Sequence, residues 1–552
     1  MRGLCVALLA TLLTACSTST PSLKTPSAQP RPAPLFEHLG NFSRPISTPN
    51  ALAQRYFSQG LILGYGFNHA EAGRSFLAAL SLDSNCAMCA WGASLVLGPN
   101  INLPMQESAN AEAYRLAQES LRLASGASAV ERALIQALAV RYQPQWLTDR
   151  SALDRAYADA MRQVARNFPN DPDVLALFAE SLMDLYPWNY WQAGGVARAE
   201  TSEAIAAIRQ ALAREARHPG ALHFMIHLME EVRPEDGVAA ADALRGLVPD
   251  AGHLVHMPGH IYLRVGRYAD SLKINIDAGK ADESYINQCQ VQGFYAIGYH
   301  PHNWHFVAVS ASMLGNREQA MLGAEKTGHL MHGKAYGDPV MGLTVQHFDM
   351  IPMMTAARLG LWDKVLATPA PSQAGDYAAG LAHFARGLAL LARGDVVAAK
   401  TEQAALQKIL ANPELANAYV SVRNTAKGIL GVGERFLAGD LLLRERQYDA
   451  AIAALRQAVA NEDALGYNEP EDWNNPTRLL LGTAYLAAGQ AANAEIAFRG
   501  DLTRHPDNGW ALSGLEHSLR ALGNEAGAVE AHRRFTAAWS QADVTLNAAV
   551  IR

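Results

Sequence analysis

Histidine is the residue whose distribution points to chemistry. Twelve of the eighteen histidines fall within residues 218–347, where an even spread would place about four. They come in compact groups: His223 and His227, then His253, His256 and His260, then His300, His302 and His305. His329, His332 and His347 follow. Residues four apart share a face of a helix, so His223/His227 and His256/His260 each turn two imidazoles the same way. Neutral imidazole is the commonest protein ligand for zinc, copper and iron, and three or four make a site. The candidate ligands are therefore His223, His227, His253, His256, His260, His302 and His305. Glu230 or Glu231 completes such a site, orients a ligand from behind it, or supplies a base. Met225, Met229 and Met257 are interleaved; thioether with imidazole would suit copper, although methionine at helical spacing is more often core. Pro258, between His256 and His260, spoils their spacing unless it falls in a first helical turn.

Two other readings compete for these residues. Buried histidines hydrogen-bonded between helices are a packing solution in a tight helical array. Alternatively, Tyr299–His305 reads as a helix start with Pro301 in its first turn, whose free N–H groups and imidazoles suit a carboxylate or phosphate. Cys86-Ala87-Met88-Cys89 lacks the second cysteine pair of a zinc site, and Ala90 stands where haem attachment needs histidine. It reads as a local disulfide or a redox-labile pair at a helix start. Cys289 is left over as a free thiol. No Gly-x-Ser-x-Gly, His-Glu-x-x-His or phosphate-loop pattern occurs.

What positions the histidines is a helical repeat. Beyond residue 50, stretches rich in Ala, Leu, Arg and Glu with helical periodicity alternate with short Gly, Pro, Asp and Asn turns. The tetratricopeptide pattern sets a small residue in a first helix, then small, bulky and small residues about 12, 16 and 19 positions later in a second. Gly60, Ala72, Phe76 and Ala79 fit it, as do Gly259 with Ser271, and Ala308 with Ala320 and Ala324. So do Gly387 with Ala399, and Gly439 with Ala451, Leu455 and Ala458. Gly482, Ala494, Phe498 and Pro506 fit best, followed by Trp510 and Gly514. The expected fold is an all-α solenoid of antiparallel helix pairs of tetratricopeptide type, with the three histidine groups on first helices lining its concave face. Gly259 to Ala308 spans 49 residues, so an insertion lies near 283–300, and 183–200 and 328–350 also leave the pattern. The body divides into an irregular histidine-rich module, 51–370, and a second module, 376–540, whose repeats read as regular.

The N-terminus reads as an address. Met1-Arg2, an apolar stretch from Leu4 to Leu13, and Leu13-Thr14-Ala15-Cys16 form a secretory leader, residues 1–15. It is too short to span a bilayer, which takes about 20 apolar residues. Its end matches a lipobox, in which Cys16 is lipidated. Residues 16–50 hold seven prolines among serine and threonine and read as a tether. The body is then held at a bacterial cell envelope, with the periplasmic side of the outer membrane favoured, and touches membrane only through the anchor. A net charge of −6 over 552 residues gives no reason to expect nucleic acid.

Several blocks resemble a widespread bacterial family of tetratricopeptide-repeat proteins that is also similar to eukaryotic tetratricopeptide repeat protein 38. They are Tyr56–Leu61 with Gly66–Glu71, Cys86–Gly92, Gly98–Asn102, Gly252–Tyr262 and His302–Phe306, within residues 36–540. Gly259 stands where that family leads one to expect serine. The resemblance implies the fold and no activity. The expected function is an anchored repeat protein that binds a protein or peptide in its groove, with a histidine-lined pocket able to hold zinc, copper or iron. The alternative is a metal-dependent enzyme acting on a small molecule or peptide at His223, His227, His256, His260 and His302 or His305. An open groove favours the first, and histidines covered by the insertions favour the second.

Overall fold

The computed structural model describes residues 33–289, 295–332, 336–338, 341–369, 375–546 and 548–551. The chain is an all-α solenoid in which successive helices pair and each pair packs on the next. A short hairpin, Trp191–Gln192 with Val196–Ala197, is the only sheet among the described residues. No described helix is long and apolar enough to cross a membrane.

The small and bulky positions interlock as the repeat requires. A Cβ on Gly60 would stand 2.8 Å from the ring of Phe76, and one on Gly92 would stand 2.4 Å from the same ring. Phe76, on helix His69–Leu82, therefore fills the gap between Ala51–Tyr65 of its own pair and Ala87–Leu95 of the next. Phe498 repeats the arrangement near the other end, with Gly482 and Gly514 leaving 2.4 and 2.3 Å for a Cβ. Helix starts are capped by side chains: Asn50 accepts from Leu52 and Ala53 N–H, Asn68 from Glu71, and Ser128 forms a reciprocal box with Glu131.

Two expected boundaries shift. The apolar core does not part between 370 and 376. One core runs from Leu39 to Tyr299, and a second from Tyr268 to Ala549 takes in Trp304, Met350 and Tyr377. Helices Gly342–Arg358 and Asp376–Ala392, on either side of the expected boundary, share that second core, because repeat regularity carries no information about how neighbouring helices pack. Of the expected tether, 16–50, residues 16–32 lie outside the described residues and residues 33–50 lie against the helices. Phe36 N–H donates to Gln59, Ser47 N–H donates to Glu131, and Arg44 donates to Asp171 and Asp173. Prolines forbid a helix there but leave the other backbone groups free to bond side chains of the solenoid. Asp173 also accepts from Tyr65 and pairs with His218. Its burial is outweighed by His218 and Arg44, which hold the carboxyl well below the usual carboxylate range.

Gly482→Val is expected to overpack Phe498 and to lower stability by about 1–3 kcal/mol, seen as a lower urea midpoint with helicity retained. Gly431→Ala, where the nearest atom would lie 3.7 Å away, should not lower it. Equal midpoints for Gly482→Val and the parent would overturn the interlock.

Candidate metal centre

The histidine groups sit on first helices of three consecutive pairs. His223 and His227 lie on Pro219–Met229; His253 and His256 on Gly252–His256; His260 on Pro258–Arg264; His302 and His305 on His300–Met313. Pro258 occupies the first turn of the restarted helix, and Met257 before it keeps helical dihedrals of −52° and −38°. The break therefore leaves the four-residue spacing intact, and the His256 and His260 rings lie 4.6 Å apart. Gly259 has a local reason too. A Cβ there would stand 2.4 Å from Asn275 Nδ2, and Asn275 is what holds His256.

Six of the seven candidate ligands converge in two triads. His223, His227 and His253 bring one donor atom each within 4.8 Å of the others, and His256, His260 and His302 do the same. Every one of the six except His302 is buried. Phe67 packs on the first triad, its ring 4.7 Å from His223 and 5.7 Å from His253.

Four of these imidazoles are fixed through Nδ1. His223 Nδ1 donates to the Tyr65 carbonyl at 2.6 Å, His227 to Glu230 Oε1 at 2.9 Å and His256 to Asn275 Oδ1 at 2.5 Å. His260 Nδ1 faces Glu469 Oε2 at 2.7 Å and Glu230 Oε2 at 2.9 Å. A donating Nδ1–H leaves Nε2 with its lone pair free. The Nε2 atoms of His223, His227 and His256, and both ring nitrogens of His253, are buried with no hydrogen-bond partner. An unsatisfied buried polar atom costs about 1–3 kcal/mol, so a packing role would leave these groups at a large loss in one place. Ligation of a cation satisfies the free nitrogens of His223, His227 and His256, whose Nδ1 is held from behind, and one nitrogen of His253.

The charges agree with that chemistry. Burial, together with neighbouring imidazoles, pushes His223, His253, His256 and His302 well below the usual imidazole range, so these rings are neutral donors. For His260, burial is outweighed by Glu230 and Glu469, which raise it to about 10. For Glu230 the same pairing outweighs burial and lowers it to about 2, whereas burial raises Glu469. Two buried carboxylates thus stand behind the triads and hold a positive charge on His260, while His223, His253, His256 and His302 stay neutral.

Other candidates fall elsewhere. His305 lines the cavity that opens from the triads but belongs to neither triad, with its ring 5.8 Å from His347, which is held by the Tyr377 hydroxyl. Glu231 points away and pairs with Arg423 at 2.5 Å. Met225, Met229 and Met257 belong to the apolar core and not to the site. His300 accepts from Trp304 at 3.2 Å, while His329 and His332 are exposed. The anion pocket expected at Tyr299–His305 lacks an open helix end, because Tyr295–Tyr299 already runs helically into His300–Met313. Cys86 and Cys89 form a disulfide at the start of Ala87–Leu95, remote from the histidines, and Cys289 is free. Cys16 lies outside the described residues.

The triads are covered. A cavity of about 440 Å³ is lined by His227, His253, His260 and His302 on one side. Trp188, Tyr299 and Phe348, from the three irregular segments, form its walls. Its roof comes from residues 419–423 and 467–472, in repeats expected to be regular. Arg423 ties that roof to Glu231, and Thr344 donates to the Val420 carbonyl at 2.8 Å. Asp472 accepts from Ser421, Asn424 and Asn468 within the roof. The roof was legible in the repeat spacing. Gly387 to Gly439 is 52 residues and Gly439 to Gly482 is 43, against about 34 in one repeat, so both steps carry an insertion. The anchors Asn275 and Glu469 carried no such signal.

No family model matches the chain, and no curated protein matches its sequence. Among solved structures, the human IFIT1 dimer with m7Gppp-AAAA is 13% identical over 89% of this chain and 90% of that one, with a TM-score of 0.29. The APC/C hetero-tetramer Cut9-Hcn1 is 14% identical over 89% and 88%, also at 0.29. Likeness at that level carries nothing about ligand or chemistry.

The roof is anchored by His505, whose Nε2 meets Glu471 at 3.2 Å and whose Nδ1 meets Asp501 at 3.1 Å. Burial opposes its charge, but Glu471 and Asp501 outweigh burial and raise it to about 10. A folded value above the unfolded one, about 6.5, stabilises fully below that pH and is lost as pH rises through about 10. The stability gap between the parent and His505→Asn should therefore be widest near pH 6 and close above pH 10 in urea titrations. A gap independent of pH would refute the charge assignment.

Proposed function

We propose that this protein is a metal-dependent enzyme that acts on a small, uncharged, largely apolar molecule held against the histidine triads. The observation that carries the reading is the set of buried ring nitrogens without partners: Nε2 of His223, His227 and His256, whose opposite nitrogens are fixed by Tyr65, Glu230 and Asn275, and both nitrogens of His253. Three imidazoles on a zinc or copper ion leave a position for water or substrate, and such an ion polarises what it binds. The cavity supports the substrate class. Its walls are mostly aromatic and aliphatic, and its charged groups are already paired: Arg423 with Glu231, Asp472 with three donors, Glu469 with His260. A protein or peptide lying in the concave groove would have to displace residues 419–423 and 467–472 to reach the histidines, so closure favours the enzyme over the scaffold. The net charge of −6 favours a ligand other than nucleic acid.

The address is part of the same proposal. The apolar leader and Leu13-Thr14-Ala15-Cys16 support an extracytoplasmic, lipid-anchored protein of the bacterial envelope, with the periplasmic face of the outer membrane preferred.

Protein purified without chelators or a histidine tag is expected to carry zinc, copper or iron by elemental analysis. A His223→Ala/His256→Ala/His260→Ala variant is expected to lose the metal while remaining helical by circular dichroism. Absence of metal even after reconstitution, with the variant unfolded, would make the histidines structural. Cys16→Ala is expected to abolish palmitate labelling and release the protein from the membrane fraction; unchanged labelling would refute the anchor.

A further inference from the structure

Six buried or half-buried imidazoles are more than one ion uses. A single tetrahedral ion takes four donors at about 2.0–2.1 Å and would leave the remaining two without partners. The donors do not form one shell. They fall into two sets, His223/His227/His253 and His256/His260/His302, each with its atoms within 4.8 Å. The sets touch where His227 faces His260, with ring centroids 6.2 Å apart, and where His253 faces His256 at 5.9 Å. One carboxylate spans them. Glu230 Oε1 accepts from His227 Nδ1 at 2.9 Å, and its Oε2 lies 2.9 Å from His260 Nδ1 as an ion-pair contact, while the His260 Nδ1 hydrogen bond goes to Glu469 Oε2 at 2.7 Å.

We propose that the two triads hold a pair of late first-row metal ions, copper or zinc, side by side, with Glu230 coupling the two sites from behind the ligands. The proposal rests on the metal reading above and adds its nuclearity. All-imidazole shells without an oxygen or thiolate ligand suit copper and zinc and disfavour calcium, magnesium and manganese. Glu230, His260 and Glu469 also lie close enough together to hold an ion. That third arrangement would use the nitrogen of His260 that already faces both carboxylates, so it serves as support for the second triad. Glu230 and Glu469 supply two buried negative charges to balance the ions, and Glu230 is shared between them. Two ions at neighbouring triads, both at the cavity floor, can engage one substrate together, as two-metal sites about 3.5–4 Å apart do.

The test is stoichiometry followed by magnetism. Chelator-stripped protein is titrated with Zn(II) alone and with Cu(II) alone, each followed by equilibrium dialysis and elemental analysis. Two equivalents are expected for whichever ion binds. His223→Asn/His253→Asn and His256→Asn/His302→Asn should each retain one, with helicity checked by circular dichroism. In the Cu(II)-loaded protein the paired ions should couple, leaving an EPR signal far below the copper content, and each double variant should recover a full mononuclear signal. If zinc alone binds, cobalt substitution supplies the same magnetic comparison.

One equivalent in the parent, with full signal, overturns the pair while leaving a metal centre intact. No binding overturns the metal reading itself. Glu230→Gln, which keeps the shape of the side chain, should retain both ions and weaken each about 10–100-fold. Weakening of one site alone would refute the coupling through Glu230.

Discussion

The structure turns on the hydrogen bonds behind four of the six imidazoles. A neutral histidine has one nitrogen that donates and one that accepts, and which is which depends on the partner it finds. Here Nδ1 is claimed by the Tyr65 carbonyl in His223, by Glu230 in His227 and by Asn275 in His256, and the opposite nitrogens of those three rings are left as buried lone pairs without partners. Without those anchors the rings could rotate and satisfy themselves locally, and the cluster would be ordinary core. With them it becomes a rigid set of donors whose alternative to a cation is a row of unsatisfied buried atoms.

Such precision needs a scaffold that does not give. The partners of the four anchored imidazoles come from far apart in the chain: Tyr65 from the first helix, Asn275 from the helix behind His256, and Glu469 from a loop some two hundred residues later. Small residues against bulky ones fix the separation of successive helices, as Phe76 and Phe498 show at either end. The superhelix then brings late repeats back over early ones. That return is what lets residues 467–472 close a cavity whose floor is built from residues 223–302. Charge clamps hold the closure, with Arg423 on Glu231 and His505 on Glu471.

Much of this was legible in the amino-acid order, for reasons of periodicity. A helix repeats every 3.6 residues, so His223/His227 and His256/His260 had to share faces. The small and bulky positions repeat often enough to define the helix pairs, and the spacings after Gly259, Gly387 and Gly439 exceed one repeat where Tyr299 and residues 419–423 and 467–472 line the site. The repeats on either side of the roof keep the small and bulky pattern, so they read as regular. The fate of Pro258 depended on whether the chain restarted a helix at that residue, which it does.

The sequence by itself determined the helical class, the repeat and the concentration of imidazoles on consecutive first helices, because these follow from local spacing. It also placed Glu230 beside them. Only the tertiary structure decided that six of the seven candidates join while His305 stays outside both triads, that Glu231 pairs with Arg423, and that the groove is roofed. Those outcomes depend on the accumulated twist of the helix pairs and on contacts between residues hundreds of positions apart. A one-residue difference of about 100° around a helix separates Glu230, which spans the triads, from Glu231, which pins the lid. Which of the two faced inward was settled by the packing of helices that neither residue belongs to.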